Sequence, residues 1–211
     1  MKPRNEGGDS VPRSMLDPVR YCNLRTIESE ESMTAEVAPA SAQAVTDHAD
    51  KGSKFVLQPD EGNSYWQPKP ANGYITIKIS PDNCTSNLVT MGIQVVAPNG
   101  CYVREHWHSR NEEILFCYEG RGTILVDGQP HVFVPGTTAY LGRWVKHKIV
   151  NDDAERPLKF TWTYLPPGLD QFFASIGRPR RAEDPTPEPF ERPADVVGVE
   201  QRTGFGPPLD R

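Results

Sequence analysis

The stretch EHWHSRNEE, residues 105–113, places two histidines two positions apart and two glutamates shortly after them. Neighbouring side chains of a β-strand point to opposite faces, so His106 and His108 share one face while Trp107 points to the other. If that shared face lies inside a β-barrel, two imidazoles converge from one strand. Such a pair also occurs by chance on exposed strands, so a metal site needs further ligands.

Two further parts of the chain can complete a ligand set. A polar turn at residues 109–111 lets the chain reverse, and either Glu112 or Glu113 then enters the same interior from the next strand. His147 lies in a later strand-like run and can add a third imidazole. Three neutral imidazoles and one carboxylate suit Fe(II), Mn(II), Ni(II), Zn(II), Co(II) or Cu(II).

The surrounding sequence predicts an all-β domain. Residues 55–57 are a first strand candidate. In residues 74–79, Ile75, Ile77 and Ile79 share one face while Thr76 and Lys78 share the other, as in a half-buried strand. Further short runs are separated by turn sequences such as Asp127-Gly128. Roughly ten short strands without a helical period between them predict a closed or sandwiched β-domain.

Three regions follow from these patterns. Residues 1–51 lack a sustained apolar period and predict a weakly ordered N-terminal arm. Residues 52–165 hold the β-barrel. Residues 166–211 predict a short helix followed by an extended, proline-rich tail, because an apolar stripe recurs at helical spacing before the prolines: Leu169, Phe172, Phe173 and Ile176.

Composition excludes several classes of partner. The net charge of −5 argues against a nucleic-acid surface, and no run approaches the roughly 20 apolar residues of a membrane span. The N-terminus lacks the apolar core of a secretory signal, and the four cysteines show no CxxC spacing. These observations predict a reduced, cytoplasmic protein that binds a small molecule.

The spacing of glycine, histidine and glutamate resembles the first motif of the cupin superfamily: Gly100, His106, His108, Glu113 and Gly120. The run 147–151, from histidine to asparagine, resembles the end of the second motif, although the usual Pro-x-Gly of that motif falls on residues 142–144, Gly-Arg-Trp. The resemblance implies a cupin double-stranded β-helix, or jelly-roll barrel. It favours Glu113 over Glu112 and implies one set of metal ligands: His106, His108, Glu113 and His147.

The single cupin domain is most similar to quercetin-dioxygenase-like cupins. This resemblance implies a metal-dependent dioxygenase, with Fe(II) favoured, that acts on a small enolic or phenolic substrate with Glu113 as the base. A redox-neutral lyase, isomerase or decarboxylase and a non-enzymatic ligand-binding cupin are the alternatives. Cupins of this size commonly pair, which implies a homodimer. Four residues are candidates for the pocket wall: Arg104, Phe133, Tyr140 and Trp144.

Overall fold

The computed structural model describes residues 52–206. The predicted N-terminal arm, residues 1–51, lies outside the described residues, as do residues 207–211. The strands in chain order are β1 (Asn63–Trp66), β2 (Tyr74–Ile79), β3 (Thr90–Val96), β4 (Tyr102–His108), β5 (Glu112–Glu119), β6 (Gly122–Val126), β7 (Gln129–Phe133), β8 (Thr138–Leu141), β9 (His147–Asn151), β10 (Leu158–Leu165), β11 (Arg178–Pro179) and β12 (Phe205–Gly206). The helices are α1 (Asp170–Ile176) and α2 (Val196–Thr203).

The strands form two sheets. The larger has seven strands in the order β11-β1-β2-β3-β10-β5-β8, and the smaller has five in the order β12-β4-β9-β6-β7. One continuous hydrophobic core contains side chains from both sheets, including Leu115 and Trp162 from the larger and Ile124 and Ile149 from the smaller. This is the all-β architecture that the sequence predicts.

The first predicted strand is displaced along the chain. Residues 55–57 are not in a strand, and their side chains are largely exposed, with Val56 83% accessible. The first strand is β1, whose Ser64 and Trp66 are buried. Three apolar residues before Gln-Pro are too few to bury one face of a strand. The pairing of residues 63–66 with β2 therefore determines where the first strand lies.

The pairing of three strands sets the position of the site. In β4 and β9, His106 lies directly opposite His147, and a register shift separates this pair from Val103. In β5, Glu113 lies between Leu141 of β8 and Tyr164 of β10. Both sheets therefore contribute side chains to one end of the barrel interior.

The C-terminal region contains more structure than the sequence predicts. The helix α1 buries Phe172, Phe173 and Ile176, as the apolar stripe predicts. The following segment is not an extended tail throughout, because it contains α2 and the short strand β12, which pairs with β4. Within the described residues, neither helix has the length and apolar character that crossing a bilayer requires.

The sequence pattern does not predict α2. It buries only Val199 and Glu200 of its eight residues, so no apolar stripe marks it. It ends at Gly204, whose left-handed backbone (φ 75°) turns the chain into β12. Contacts with the barrel, rather than helix propensity, therefore stabilise this segment.

Candidate metal centre

Four side chains converge at one end of the barrel interior: His106 and His108 from β4, Glu113 from β5 and His147 from β9. All four are buried, and one possible ligand atom from each lies within 4.8 Å of the others. Oε2 of Glu113 lies 2.9 Å from Nε2 of His147 and 3.3 Å from Nε2 of His108. This is a group that could hold a metal ion.

Backbone carbonyls fix the tautomer of two imidazoles. Nδ1 of His106 lies 2.7 Å from the carbonyl oxygen of Arg104, and Nδ1 of His147 lies 3.0 Å from that of Val145. Because a carbonyl only accepts, each Nδ1–H is the donor and each Nε2 keeps its lone pair. The lone pair of the His147 Nε2 therefore points into the cluster, as a metal ligand requires.

The converging atoms lack ordinary hydrogen-bond partners. Within residues 52–206, Nε2 of His147, Nε2 of His108 and Oε2 of Glu113 are buried without a hydrogen bond. Lone pairs that face one another at this distance repel unless a cation lies between them. Two donors about 2.1 Å from a shared ion lie roughly 3.0–3.4 Å apart, close to the distances observed here.

The protonation states also fit a divalent cation. Burial lowers the pKa of His106 well below its ordinary value, and the neighbouring His147 and His108 lower it further, so the imidazole is neutral. Burial by itself would raise the pKa of Glu113, but the adjacent His108 and His147 outweigh it and hold that pKa below its ordinary value. A neutral imidazole at His106 and an ionised carboxylate at Glu113 are the forms that bind transition metals.

The choice between the two glutamates follows from strand parity in β5. Glu113 points into the interior and is buried, whereas Glu112 is only partly buried and lies beside the exposed Tyr140. The structure thus brings together the four residues that the cupin resemblance implies as ligands.

A cavity of about 40 Å³ adjoins two of the four side chains, His106 and Glu113. Its wall includes His106, Glu113 and Tyr164, together with Arg104 from β4 and Arg192 from the C-terminal segment. Aromatic rings from the same segment close it. Phe205 stacks on His106 with ring centroids 4.2 Å apart, and on Phe172 at 3.8 Å.

Of the four predicted pocket residues, Arg104 lines this cavity and the other three do not. Phe133 is fully buried in the core against Phe160, with ring centroids 5.6 Å apart. Tyr140 is 64% exposed, because the inward positions of β8 next to it belong to Ala139 and Leu141.

Trp144 lies on the outside of the barrel. It is 62% exposed and packs on Trp107, which strand parity turns away from the histidines, with ring centroids 4.7 Å apart. Its backbone has a left-handed φ of 69°, a conformation that favours glycine, and glycine is the residue that the cupin second motif has at this position. The chain therefore keeps the turn of the motif with tryptophan in place of glycine.

Several residues at the site were not predicted from the sequence: Tyr164, Phe205, Arg192 and Glu200. Tyr164 is the cross-strand neighbour of Glu113 and shares the inward parity of Phe160 and Trp162, so a pairing of β5 with β10 would have identified it. Burial and the adjacent Glu113 raise its pKa well above the ordinary value, so its hydroxyl stays protonated. The residues of the C-terminal segment carry no comparable pattern.

The two-sheet barrel and its buried group of three histidines and one glutamate define a β-barrel protein with a candidate metal centre. Residues 92–164, about a third of the chain, match the family model described as Cupin domain. The likeness to a cupin domain is thus confined to these residues, and the fold is a cupin fold. No curated protein sequence matches the chain.

Three solved structures illustrate the likeness in fold. An RmlC-like cupin from Shewanella frigidimarina is 15% identical (TM-score 0.45), and the match covers 57% of this chain and 97% of that one. KdgF from Halomonas sp. is 14% identical (TM-score 0.47), covering 56% and 98%. The polyketide cyclase RemF from Streptomyces resistomycificus is 15% identical (TM-score 0.48), covering 55% and 81%.

Proposed function

We propose that this protein is a metal-dependent cupin enzyme, a dioxygenase of the quercetin-dioxygenase-like kind that acts on a small enolic or phenolic compound. The observation that carries the proposal is the convergence of buried, unpartnered donor atoms from His108, His147 and Glu113 beside a cavity. Unpartnered buried polar atoms cost free energy, so a functional occupant explains why the chain retains them.

Each residue has a definite task in this proposal. His106, His108, Glu113 and His147 hold the ion, with Fe(II) favoured and Mn(II), Ni(II), Zn(II), Co(II) or Cu(II) as alternatives. The bound ion supplies Lewis-acid or redox chemistry. The carboxylate of Glu113 accepts a proton from the substrate, and Phe172 with Phe205 excludes water from the cavity.

The cavity restricts what can enter. Its volume of about 40 Å³ is room for a few water molecules, since one water needs about 10–15 Å³ of such a cavity. A phenolic ring needs more room, and the side chains that limit the space include Phe205 and Arg192 of the C-terminal segment. Binding of an aromatic substrate therefore requires this segment to shift.

The test begins with elemental analysis of untreated protein, in which we expect about one transition-metal ion per chain. Oxygen uptake is then measured against enolic and phenolic compounds, with and without added Fe(II). Full turnover under strictly anaerobic conditions would exclude a dioxygenase. Protein with far less than one ion per chain, and no activity after addition of the metals named above, would support the non-enzymatic alternative.

A redox-neutral lyase, isomerase or decarboxylase is the second candidate, because the protonated hydroxyl of Tyr164 lies next to the ionised carboxylate of Glu113. Such a pair can donate and accept protons, which typically contributes about 10²–10⁴-fold to a rate. If this candidate holds, Tyr164→Phe lowers kcat by at least about 100-fold without changing metal content, and turnover proceeds without O₂.

Four expectations are tested neither by the structure nor by the comparisons. A cytoplasmic location, a homodimer, and the absence of nucleic-acid and membrane partners stay predictions of the sequence.

A further inference from the structure

Two arginines share one buried carboxylate beside the candidate metal centre. Nη2 of Arg192 lies 3.1 Å from Oε1 of Glu200 in α2, and the Nη2 of Arg104 in β4 contacts the same oxygen. Glu200 is 4% exposed, whereas the side chains of Arg104 and Arg192 are 31% and 16% exposed. Two guanidinium groups and one carboxylate leave one positive charge without a counter-charge inside the cluster.

The guanidinium groups also have unused donors. Within the described residues, Nε of Arg104 and Nε of Arg192 are buried and have no hydrogen-bond partner. A guanidinium carries five N–H donors in a planar fork that matches the two oxygens of a carboxylate. The cluster can therefore accept a second carboxylate or exchange its present one for another.

The arginines belong to the same cavity as the ligand group. Arg104 precedes His106 by two residues on β4, so both side chains lie on the same face of the strand. Both arginines line the cavity together with His106 and Glu113. Glu200 does not line it, but contacts the arginines from the C-terminal segment.

The charges around the cavity favour an anion. The charged side chains that line it are Arg104, Arg192 and Glu113, together with Lys69, which pairs with Glu191 at 2.7 Å. Burial, together with the neighbouring Arg104, lowers the pKa of Arg192 to about 10, although Glu200 acts to raise it. The strain of holding two guanidinium groups together is thus only partly relieved, and a bound anion would relieve more of it.

We propose that Arg104 and Arg192 bind the carboxylate of a small carboxylic acid substrate, and that Glu200 occupies them when no substrate is bound. The inference rests on the proposed function, because the substrate's reacting atoms would lie beside the ligand group. Glu200 lies on α2, so its displacement would break the ion pairs that this helix makes with Arg104 and Arg192.

The experiment measures acetate binding to the full chain by isothermal titration calorimetry at constant ionic strength, with acetamide as the uncharged analogue. Each titration is made with Zn(II)-loaded and with metal-free protein. We expect acetate to bind and acetamide not to bind. Arg192→Gln should weaken acetate binding by at least about tenfold, which corresponds to about 1.4 kcal/mol. The control Arg202→Gln removes an exposed arginine of α2, paired only with Asp195 at 3.8 Å, and should leave the affinity within twofold.

The variant Glu200→Gln distinguishes a carboxylate-binding site that Glu200 occupies from an ion cluster that is purely structural. If Glu200 competes with substrate for the arginines, its removal tightens acetate binding by at least about threefold. If it only positions the arginines, its removal weakens binding, and that result would overturn the proposal. Arg192→Lys keeps the positive charge but lacks the planar fork, so it tests the site even if Arg192→Gln is poorly folded. It should weaken acetate binding by severalfold. Unchanged affinity would also overturn the proposal.

Failure of this inference differs from failure of the proposed function. Metal at one ion per chain with no preference for acetate over acetamide refutes the carboxylate site and leaves the enzyme proposal standing. Acetate binding that depends on Arg192 in a protein that takes up no metal refutes the enzyme proposal and supports the carboxylate site.

Discussion

His147 is the proposed ligand from β9, and it lies directly opposite His106 of the neighbouring strand β4. We predict that His147→Ala lowers metal affinity by more than 100-fold, because removal of a mere supporting partner already costs about 10–100-fold. The barrel should stay folded, because its core does not include the ligands. Metal content after dialysis and far-UV circular dichroism measure the two effects.

The matched control is His131→Ala. His131 is an exposed histidine on β7 of the same sheet, so its loss should leave metal content unchanged. A variant at His147 that unfolds would show that the ion has a structural role. Equal metal content in the wild type and the His147 variant would contradict the proposed ligand set.

At the residue scale, the sequence predicts the residues of the candidate ligand group better than the residues of the cavity wall. The histidines of β4 share a face by parity alone, and the motif spacing distinguishes Glu113 from Glu112. Phe133 shows the limit of this reasoning: it points inward as expected of a core strand, yet it contacts Phe160 in the core and does not line the cavity. The distance of an inward side chain from the ligand group along the barrel axis depends on strand register, which the sequence does not specify.

At the scale of elements, the C-terminal segment contributes the ring of Phe205 to the cavity wall. Phe205 is stacked between His106 and Phe172 and is 5% exposed. We predict that Phe205→Ala releases α2 and β12 from the barrel, because a buried phenylalanine truncated to alanine typically loses about 3–5 kcal/mol and this segment has few other buried side chains. Hydrogen exchange of residues 196–206 should rise at least tenfold, while exchange in β5 and β10 stays unchanged.

Val197→Ala is the control for this element, since Val197 lies on the same helix and is 58% exposed. It should leave the exchange rates of α2 within twofold. Slow exchange throughout residues 196–206 in the Phe205 variant would mean that the ion pairs of Glu200, rather than the aromatic stack, hold the segment in place.

The elements differ in how far the sequence predicts them. The strands from β2 to β10 are evident because alternation and turn residues act locally. By contrast, β1, α2 and β12 are short, and the two strands pair with partners distant in sequence: β1 with β11, and β12 with β4. Their stability arises from packing that forms only when the whole chain is folded, so local pattern cannot reveal it.

At the scale of the whole molecule, one sheet face is unusually apolar. Three alternate residues of β5 on the outside of the larger sheet are exposed, Ile114, Phe116 and Tyr118, and Tyr140 of β8 lies opposite Ile114. Contiguous exposed apolar side chains of this kind mark interaction surfaces more often than plain solvent-facing sheet. The cupin resemblance implies a homodimer, and this face is a surface on which two copies can meet by a twofold axis.

We therefore predict that the protein is a dimer at micromolar concentration and that Phe116→Asp makes it a monomer, because a twofold axis places two such carboxylates in one apolar interface. Sedimentation velocity measures the mass, and metal content shows that the barrel remains intact in the variant. Val132→Asp is the control, since Val132 is a 64% exposed apolar residue of the other sheet and should leave the dimer unchanged. A wild-type chain that sediments as a monomer of 23.6 kDa at 50 µM or so would contradict the prediction. A dimer that persists in the Phe116 variant would place the interface elsewhere on the molecule.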